Sequence, residues 1–272
     1  MKLISIFGIC FAMLLGQTIF AADSMCTASE DFVKSIDCPS SSLPVKGSYL
    51  TRTVKFALPK GTAPENGWPT VVIYQGSFFA VGFSGIEGMP FGGFNQIRLI
   101  QDLLDHGFAV IAPPAMSGLA WETNLVGVTY KDSEDDIFLN NLLAEMKSGK
   151  FGPIDMNNLF ATGISSGGYE TSRMAISMPG VFKALAIESA SYATCGGALC
   201  FVPDDLPVDH PPTMFLHGEA DMIVPISTMW SYYKRLKAHK VPVSAVVDKT
   251  ASHQWIDQAP EAITSWFLNY KN

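Results

Sequence analysis

Gly163-Ile164-Ser165-Ser166-Gly167-Gly168 stands between two contrasting patterns. Before it, Leu159-Phe160-Ala161-Thr162 is a short apolar run of the kind that forms a buried strand; after it, Gly167 to Met178 carries helical spacing. A serine between glycines at a strand-to-helix junction is the signature of a sharp turn that lifts a nucleophilic hydroxyl clear of a sheet. The glycines follow from crowding. The serine backbone must adopt an unfavourable conformation while helix and strand pass close behind it, and a side chain at either glycine would clash. Ser165 is the nucleophile in this reading. Ser166 fails the pattern, since it would need glycine at position 164. Its expected part is its backbone N–H, which follows the nucleophile and can bind a developing oxyanion.

Working outward, short apolar, β-branched runs alternate with longer helical segments. Candidate strands are Thr51–Leu58, Thr70–Tyr74, Ala109–Ala112, Leu159–Thr162, Ala184–Ile187, Met214–Leu216 and Val243–Val247. Candidate helices are Phe94–Asp105, Glu134–Lys147, Gly167–Met178, Thr228–Ala238 and Ala262–Tyr270. The second has a clear start: Asp132 or Ser133 can accept from free backbone amides, and Glu134, Asp135 and Asp136 sit in the positive first turn. Its Ile137, Leu142 and Met146 are expected on one packed face. This alternation predicts an α/β chain with a mostly parallel central sheet flanked by helices. Together with the serine turn, it predicts an α/β-hydrolase fold. No linker rich in Pro, Ser or Thr divides the chain, so a single domain is expected over 23–272. Two long irregular stretches remain, Gly76–Phe94 and Ser191–Pro212, and loops of that length are usually functional.

A serine hydroxyl needs a base to take its proton, and chain order narrows the five histidines. In this fold the acid and then the base follow the nucleophile, which excludes His106. His239 lies amid Lys237 and Lys240 near a helix end, where it complements the helix dipole. His217 closes an apolar strand ahead of every acid that could orient it and is expected to be structural; His210 is also left on order alone. His253, in Ala251-Ser252-His253-Gln254-Trp255, falls on a loop at the carboxyl end of the last candidate strand, where ligands of open α/β sheets bind. It is the candidate base. The acid should come one loop earlier, and Asp221 is preferred there because the turn closed by Pro225 can hold a short carboxylate rigidly against an imidazole. Glu219 and Asp248 stay as alternatives. A second oxyanion donor is expected after Val71-Val72-Ile73-Tyr74-Gln75-Gly76-Ser77, where lipases often carry His-Gly and this chain has Gln75; the backbone N–H of Ser77 is the candidate.

Lys2, an apolar run from Leu3 to Leu15 and small residues at Ala21 and Ala22 predict a cleaved signal peptide over 1–22. No apolar run is long enough to span a membrane after its removal. The expected product is secreted and extracellular, with a periplasmic location left open. Without Cys10, the remaining Cys26, Cys38, Cys195 and Cys200 suit an oxidising compartment. Three pairings are open; Cys26 with Cys38 and Cys195 with Cys200 are favoured because short separations cost least loop-closure entropy. Cysteine and histidine spacings give no convincing metal site. A net charge of -7 without basic clusters leaves nucleic acid no electrostatic footprint. Hydrophobic residues at 48% against 16% charged leave more apolar surface than a domain easily hides.

The Gly163–Gly168 box, followed by Asp221 and His253 in that order and spacing, resembles the catalytic residues of extracellular medium-chain-length polyhydroxyalkanoate depolymerases. The resemblance covers most of the chain beyond the leader. It implies hydrolysis of polyesters such as poly(3-hydroxyoctanoate) through an acyl-enzyme, with no metal or organic cofactor and without the separate substrate-binding domain of short-chain depolymerases. The partner so implied is a water-insoluble polyester. A single-domain enzyme must adsorb to it with its own apolar residues. Phe78, Phe79, Phe83, Met89, Phe91 and Phe94, near the expected oxyanion loop, are candidates for that surface, and Trp121 and the Cys195–Cys200 segment are candidates for the acyl pocket. Rival readings are a general secreted carboxylesterase, lipase or cutinase-like enzyme, a peptidase, and a non-catalytic binding protein on the same fold.

Overall fold

The computed structural model describes residues 24–124 and 129–272; the expected leader lies outside the described residues. In chain order the strands are β1 (Thr27–Ser29), β2 (Ser35–Asp37), β3 (Ser41–Lys46), β4 (Thr51–Ala57), β5 (Trp68–Tyr74), β6 (Ser84–Ile86), β7 (Ala109–Ala112), β8 (Ile154–Ile164), β9 (Phe182–Glu188), β10 (Thr213–Gly218) and β11 (Val243–Asp248). The α-helices are α1 (Gly93–Asp105), α2 (Glu134–Lys147), α3 (Ser166–Ser177), α4 (Ile226–Ala238) and α5 (Ala259–Leu268).

Eight strands form one sheet in the order β11-β10-β9-β8-β5-β7-β4-β3. From β11 to β7 the pairs are parallel, while β4 and β3 join antiparallel at one edge. Every residue of β5 is buried, as a strand covered on both faces must be. Its side chains alternate between two cores. Val71 and Ile73 face the cluster that holds Leu99, Ile100 and Leu103 of α1 and Ile263 and Phe267 of α5. Val72 and Tyr74 face the cluster that holds Phe138 and Leu142 of α2 and Met174 of α3. Phe160 of β8 lies between Phe108 and Phe267, with ring centroids 5.6 and 5.0 Å away. Each such buried ring or branched side chain contributes roughly 1.5–3 kcal/mol.

The α2 boundaries match the sequence reading, and Ser133 caps the helix by accepting from the Asp136 N–H at 3.3 Å. The packed face differs. Phe138, Leu139, Leu142 and Met146 are buried and Ile137 only half so, because positions four apart stack more closely than Ile137 with Leu142. Two of the first-turn acids do more than complement a dipole. Glu134 accepts from the amides of Ser48, Tyr49 and Leu50 at the β3–β4 turn, and Asp135 meets Arg52 at 2.5 Å. Burial pushes the Asp135 carboxyl up, and the guanidinium opposes that shift. The helix end is thereby tied to the antiparallel edge of the sheet.

Four strands have no counterpart in the sequence reading. β3 extends the sheet edge, and β1, β2 and β6 make a small antiparallel sheet in the order β1-β2-β6. Their sequences are short and largely polar, so no apolar run announces them. Cys26–Cys38 and Cys195–Cys200 are both bonded, in the pairing that loop-closure entropy favours. The first bond closes the chain around β1 and β2. From Cys38 an amide reaches Phe83 O at 2.8 Å, so the stretch 76–94 is fastened to the small sheet rather than free. Phe83 itself is 4% exposed and belongs to the core, which removes it from the expected substrate surface: it points inward with Val81 while its neighbours face out. No helix among the described residues is long and apolar enough to cross a membrane.

His210 shows how the second helix layer is locked. Its Nδ1 lies 2.9 Å from Pro211 O and its Nε2 2.6 Å from the Tyr232 hydroxyl, so Nδ1 carries the proton and Nε2 accepts. Burial pushes its pKa down to about 4, from 6.5. The unfolded chain therefore binds a proton on this ring before the folded one does, and stability falls as pH drops from about 6.5 to 4. The loss is on the order of 3 kcal/mol. Thermal midpoints recorded across this range should fall less steeply in His210→Gln than in the wild type; parallel slopes would show that the ring does not carry this dependence.

Candidate active site

Ser165 sits at the end of β8 with φ 55° and ψ −120°, a conformation that a non-glycine residue adopts only under constraint. Its N–H donates to Glu188 O on β9 at 3.0 Å, and its carbonyl accepts from Tyr169 N in α3 at 3.0 Å. The glycines around it work by close approach. A Cβ on Gly167 would stand 2.2 Å from Tyr74 O and 2.4 Å from Gln75 O, and one on Gly163 would stand 2.5 Å from Gly167 O. The helix α3 and the strands β8 and β5 thus meet with no space for a methyl group.

Ser166 opens α3, so its N–H belongs to the first turn, whose amides have no acceptor within the helix. Its hydroxyl is engaged elsewhere, accepting from Trp121 N at 3.0 Å. Ser77 is half-buried and lines the same cleft as Ser165. Beneath this loop Gln75 does what the sequence did not reveal. Its amide donates to Gly76 O at 3.2 Å and Gly118 O at 3.1 Å, its side-chain oxygen accepts from Ala115 N, and its carbonyl accepts from Trp121 Nε1 at 3.0 Å. One buried side-chain amide therefore joins the loop after β5 to the segment after β7. Trp121 is 0% exposed, packs edge-on against Tyr74 and is absent from the cleft wall; the expectation that it lines an acyl pocket is corrected, because both its N–H groups are spent holding this support together.

Asp221 and His253 come from adjacent loops at the carboxyl ends of β10 and β11, and both are buried. Asp221 Oδ2 lies 2.8 Å from His253 Nδ1, while Oδ1 accepts from the amides of Ile223 and Val224 at 2.9 and 2.8 Å. With Nδ1 donating, the other ring nitrogen of His253 is left as an acceptor. His217, expected to be structural, also stands beside the carboxylate: its Nε2 lies 2.8 Å from Val224 O and 3.3 Å from Asp221 Oδ2. Burial alone would raise the Asp221 pKa, but donation from His217, His253 and the Val224 amide outweighs it and holds the carboxyl well below its usual range. The alternative acids lie elsewhere. Glu219 is exposed, and Asp248 accepts from Thr250 and Ala251 as a turn anchor, which lowers its pKa to about 2.

Ser165 and His253 open into one cleft of about 410 Å³, walled largely by apolar residues such as Phe79, Met89, Phe91, Ile164 and Ile223. Phe91 stands edge-on to His253, with ring centroids 6.2 Å apart. Phe78 and Phe79 are exposed at the mouth, Phe78 by 73%, whereas Phe94 is half-buried against the core and is not in the wall. Met222 and Ile223, exposed beside Asp221, were missed in the sequence; an apolar pair inside a polar turn was the available signal. A serine, an imidazole and a carboxylate arranged in this way can carry acyl transfer through a covalent ester of the serine.

No family model matches the chain. It is 45% identical over 266 residues to a poly(3-hydroxyoctanoate) depolymerase of Pseudomonas fluorescens, covering 96% of each protein. Among solved structures it is similar to an S-formylglutathione hydrolase from Staphylococcus aureus, with a TM-score of 0.62, 17% identity, and coverage of 85% of this chain and 96% of that one. It is also similar to a Bacillus cereus carboxylesterase, with a TM-score of 0.56, 15% identity, and coverage of 80% and 93%. At such identities the structural likeness speaks to the fold, which is that of the α/β-hydrolases. The crowding at the serine turn is testable on the protein alone. Gly167→Ala puts a methyl against two carbonyls and should cost about 2 kcal/mol or more in a denaturant melt; a change under about 0.5 kcal/mol would mean that the turn relaxes freely.

Proposed function

The chain belongs to the poly(3-hydroxyoctanoate) depolymerase family, and from that membership we propose that it hydrolyses medium-chain-length polyhydroxyalkanoates outside the cell, with Ser165 as nucleophile, His253 as base and Asp221 as the orienting acid. The observation that carries this reading is the 2.8 Å Asp221–His253 pair sharing an apolar cleft with a strained serine. In the first half-reaction His253 takes the Ser165 proton as Oγ attacks the ester carbonyl. The oxyanion forms against the N–H groups of Ser166 and Ser77, each such donor being worth about 3 kcal/mol in the transition state. Collapse expels the alcohol end of the polymer, which takes the proton from His253. Water, activated by the same imidazole, then releases the hydroxyacid or oligomer. Asp221 keeps its charge throughout and stabilises the imidazolium.

The substrate follows from the surface as well as from kinship. Phe78, Phe79, Phe91 and Ile223 rim the cleft and are exposed, a poor arrangement for a soluble ionic substrate and a good one for an alkyl-bearing polyester. At ~25 cal/mol per Å² of apolar area, a few hundred Å² of contact supplies several kcal/mol of adsorption. Two disulfides and the expected leader over 1–22, ahead of a catalytic domain over 23–272, support export.

Two experiments test the reading. Purified protein should clear a poly(3-hydroxyoctanoate) latex and Ser165→Ala should not, while the variant still sediments with the polymer. Retained clearing by that variant would end the nucleophile assignment. If soluble p-nitrophenyl esters are cleaved and no polymer is, the enzyme is a general secreted carboxylesterase. Separately, His217→Leu removes a donor from the Asp221 carboxylate. A hydrogen bond to a charged group is worth about 1.5–3 kcal/mol, so kcat should fall about tenfold or more, with His217→Gln recovering part of it. An unchanged kcat in the Leu variant would leave His217 a purely structural residue.

A further inference from the structure

We infer that Gly82 sets the depth of the acyl pocket, and so the longest alkyl chain the enzyme accepts; the inference rests on the hydrolase reading above. The cleft is lined by Ser165, by residues of the stretch after β5 and by Ile97 on α1, and three glycines contribute to its wall: Gly76, Gly82 and Gly93. They are not equivalent. A Cβ on Gly76 would press on Ile164 Cγ2 at 3.1 Å, and one on Gly93 on Met89 Cβ at 3.2 Å. At Gly82 the nearest atoms would be Ser84 O at 3.4 Å and Ile97 Cδ1 at 4.0 Å, ordinary contact distances. Gly82 also lacks the positive φ that would demand glycine. Neither backbone conformation nor packing therefore requires glycine here, and a side chain would approach Ile97, which is itself part of the wall. Glycine here leaves unfilled a position of the cleft wall that a small side chain could occupy at ordinary contact distances.

A gauge must be rigid to discriminate by length, and this one is held on both sides. Val81 and Phe83, flanking Gly82, are both buried in the core. Phe83 O accepts from Cys38 N, β6 pairs with β2 directly after it, and the Cys26–Cys38 bond ties the end of β2 to the residue before β1. Further along, Trp255 N donates to Phe91 O at 3.0 Å, joining the other end of the segment to the loop that carries His253. The stretch that carries Gly82 is thus tethered both to the small sheet and to the loop that carries His253. In such a pocket each methylene buried raises kcat/KM about fourfold until the wall is reached.

The test is a chain-length series of p-nitrophenyl esters from acetate to decanoate, run on wild type, Gly82→Ala, Gly82→Val and Met89→Ala, with thermal midpoints and labelling by a fluorophosphonate probe recorded for each. The octanoate-to-butyrate ratio of kcat/KM is expected to fall at least tenfold in Gly82→Val and by less in Gly82→Ala. In Met89→Ala, which removes bulk from the same wall, the preferred chain should lengthen. Ratios within twofold of wild type in the Gly82 variants overturn the inference. If Gly82→Val does not fold, Gly82→Ala and Met89→Ala decide it, and no shift in either overturns it. A wild type that takes the probe and cleaves these esters while the ratios stay fixed refutes the gauge alone; a wild type that does neither refutes the hydrolase reading and the gauge together.

Discussion

The closeness of α3 to β5 and β8 is the constraint on which the site depends. Gly163 and Gly167 let the helix start against the carbonyls of Tyr74 and Gln75. That approach leaves Ser165 no relaxed backbone conformation, and its φ of 55° is the result. The same packing brings the first turn of α3 beside the loop after β5, where Ser77 lines the cleft together with Ser165. The strain is offset elsewhere, by a strand buried along its whole length and by two apolar cores that clamp the sheet from either side.

The acid end of the site rests on a different principle. A carboxylate taken out of water is costly unless it is thoroughly hydrogen-bonded. Asp221 has two amides on one oxygen and two histidines on the other, so it stays ionised where burial would favour protonation. His217 and His253 thus share one carboxylate from opposite situations. The first is 0% exposed on a strand with its donor split between Asp221 and Val224 O; the second is on a loop and faces the cleft.

Much of this was legible in the sequence where local pattern and tertiary environment agree. Strands of the sheet centre are apolar runs because both faces are covered, and the order of serine, acid and histidine along the chain follows from loops at successive strand ends. Legibility failed where structure comes from pairing rather than pattern. β1, β2 and β6 are short and polar and exist through one another, a disulfide and a single bond to Phe83 O. Without that sheet nothing distinguishes Phe83, which is buried, from Phe79, which is not: they are the same residue type in one aromatic stretch. Trp121 failed for a related reason, since a large aromatic near a site satisfies its N–H groups equally well by bracing the site as by lining it. Gln75 stood out only as a substitute for histidine, and its bracing role depends on carbonyls that the chain brings to it from the 115–121 segment.

Most of the cleft wall lies far along the chain from Ser165, Asp221 and His253. Ser165, Asp221 and His253 sit at the ends of β8, β10 and β11, whereas most of the wall comes from the stretch after β5 and the first turns of α1, with Ile164, Ile223 and Trp255 added from beside those three residues. The two parts are joined by the Trp255–Phe91 backbone bond, by Asn95 Nδ2 donating to Trp255 O and Asp257 Oδ1, and by the edge contact of Phe91 with His253. Such an arrangement is modular. Substitutions along 77–94, or in the strands that support it, can reshape what the cleft admits while the hydrogen bonds around Asp221 stay as they are, so the shape of the cleft and the hold on the carboxylate can change independently.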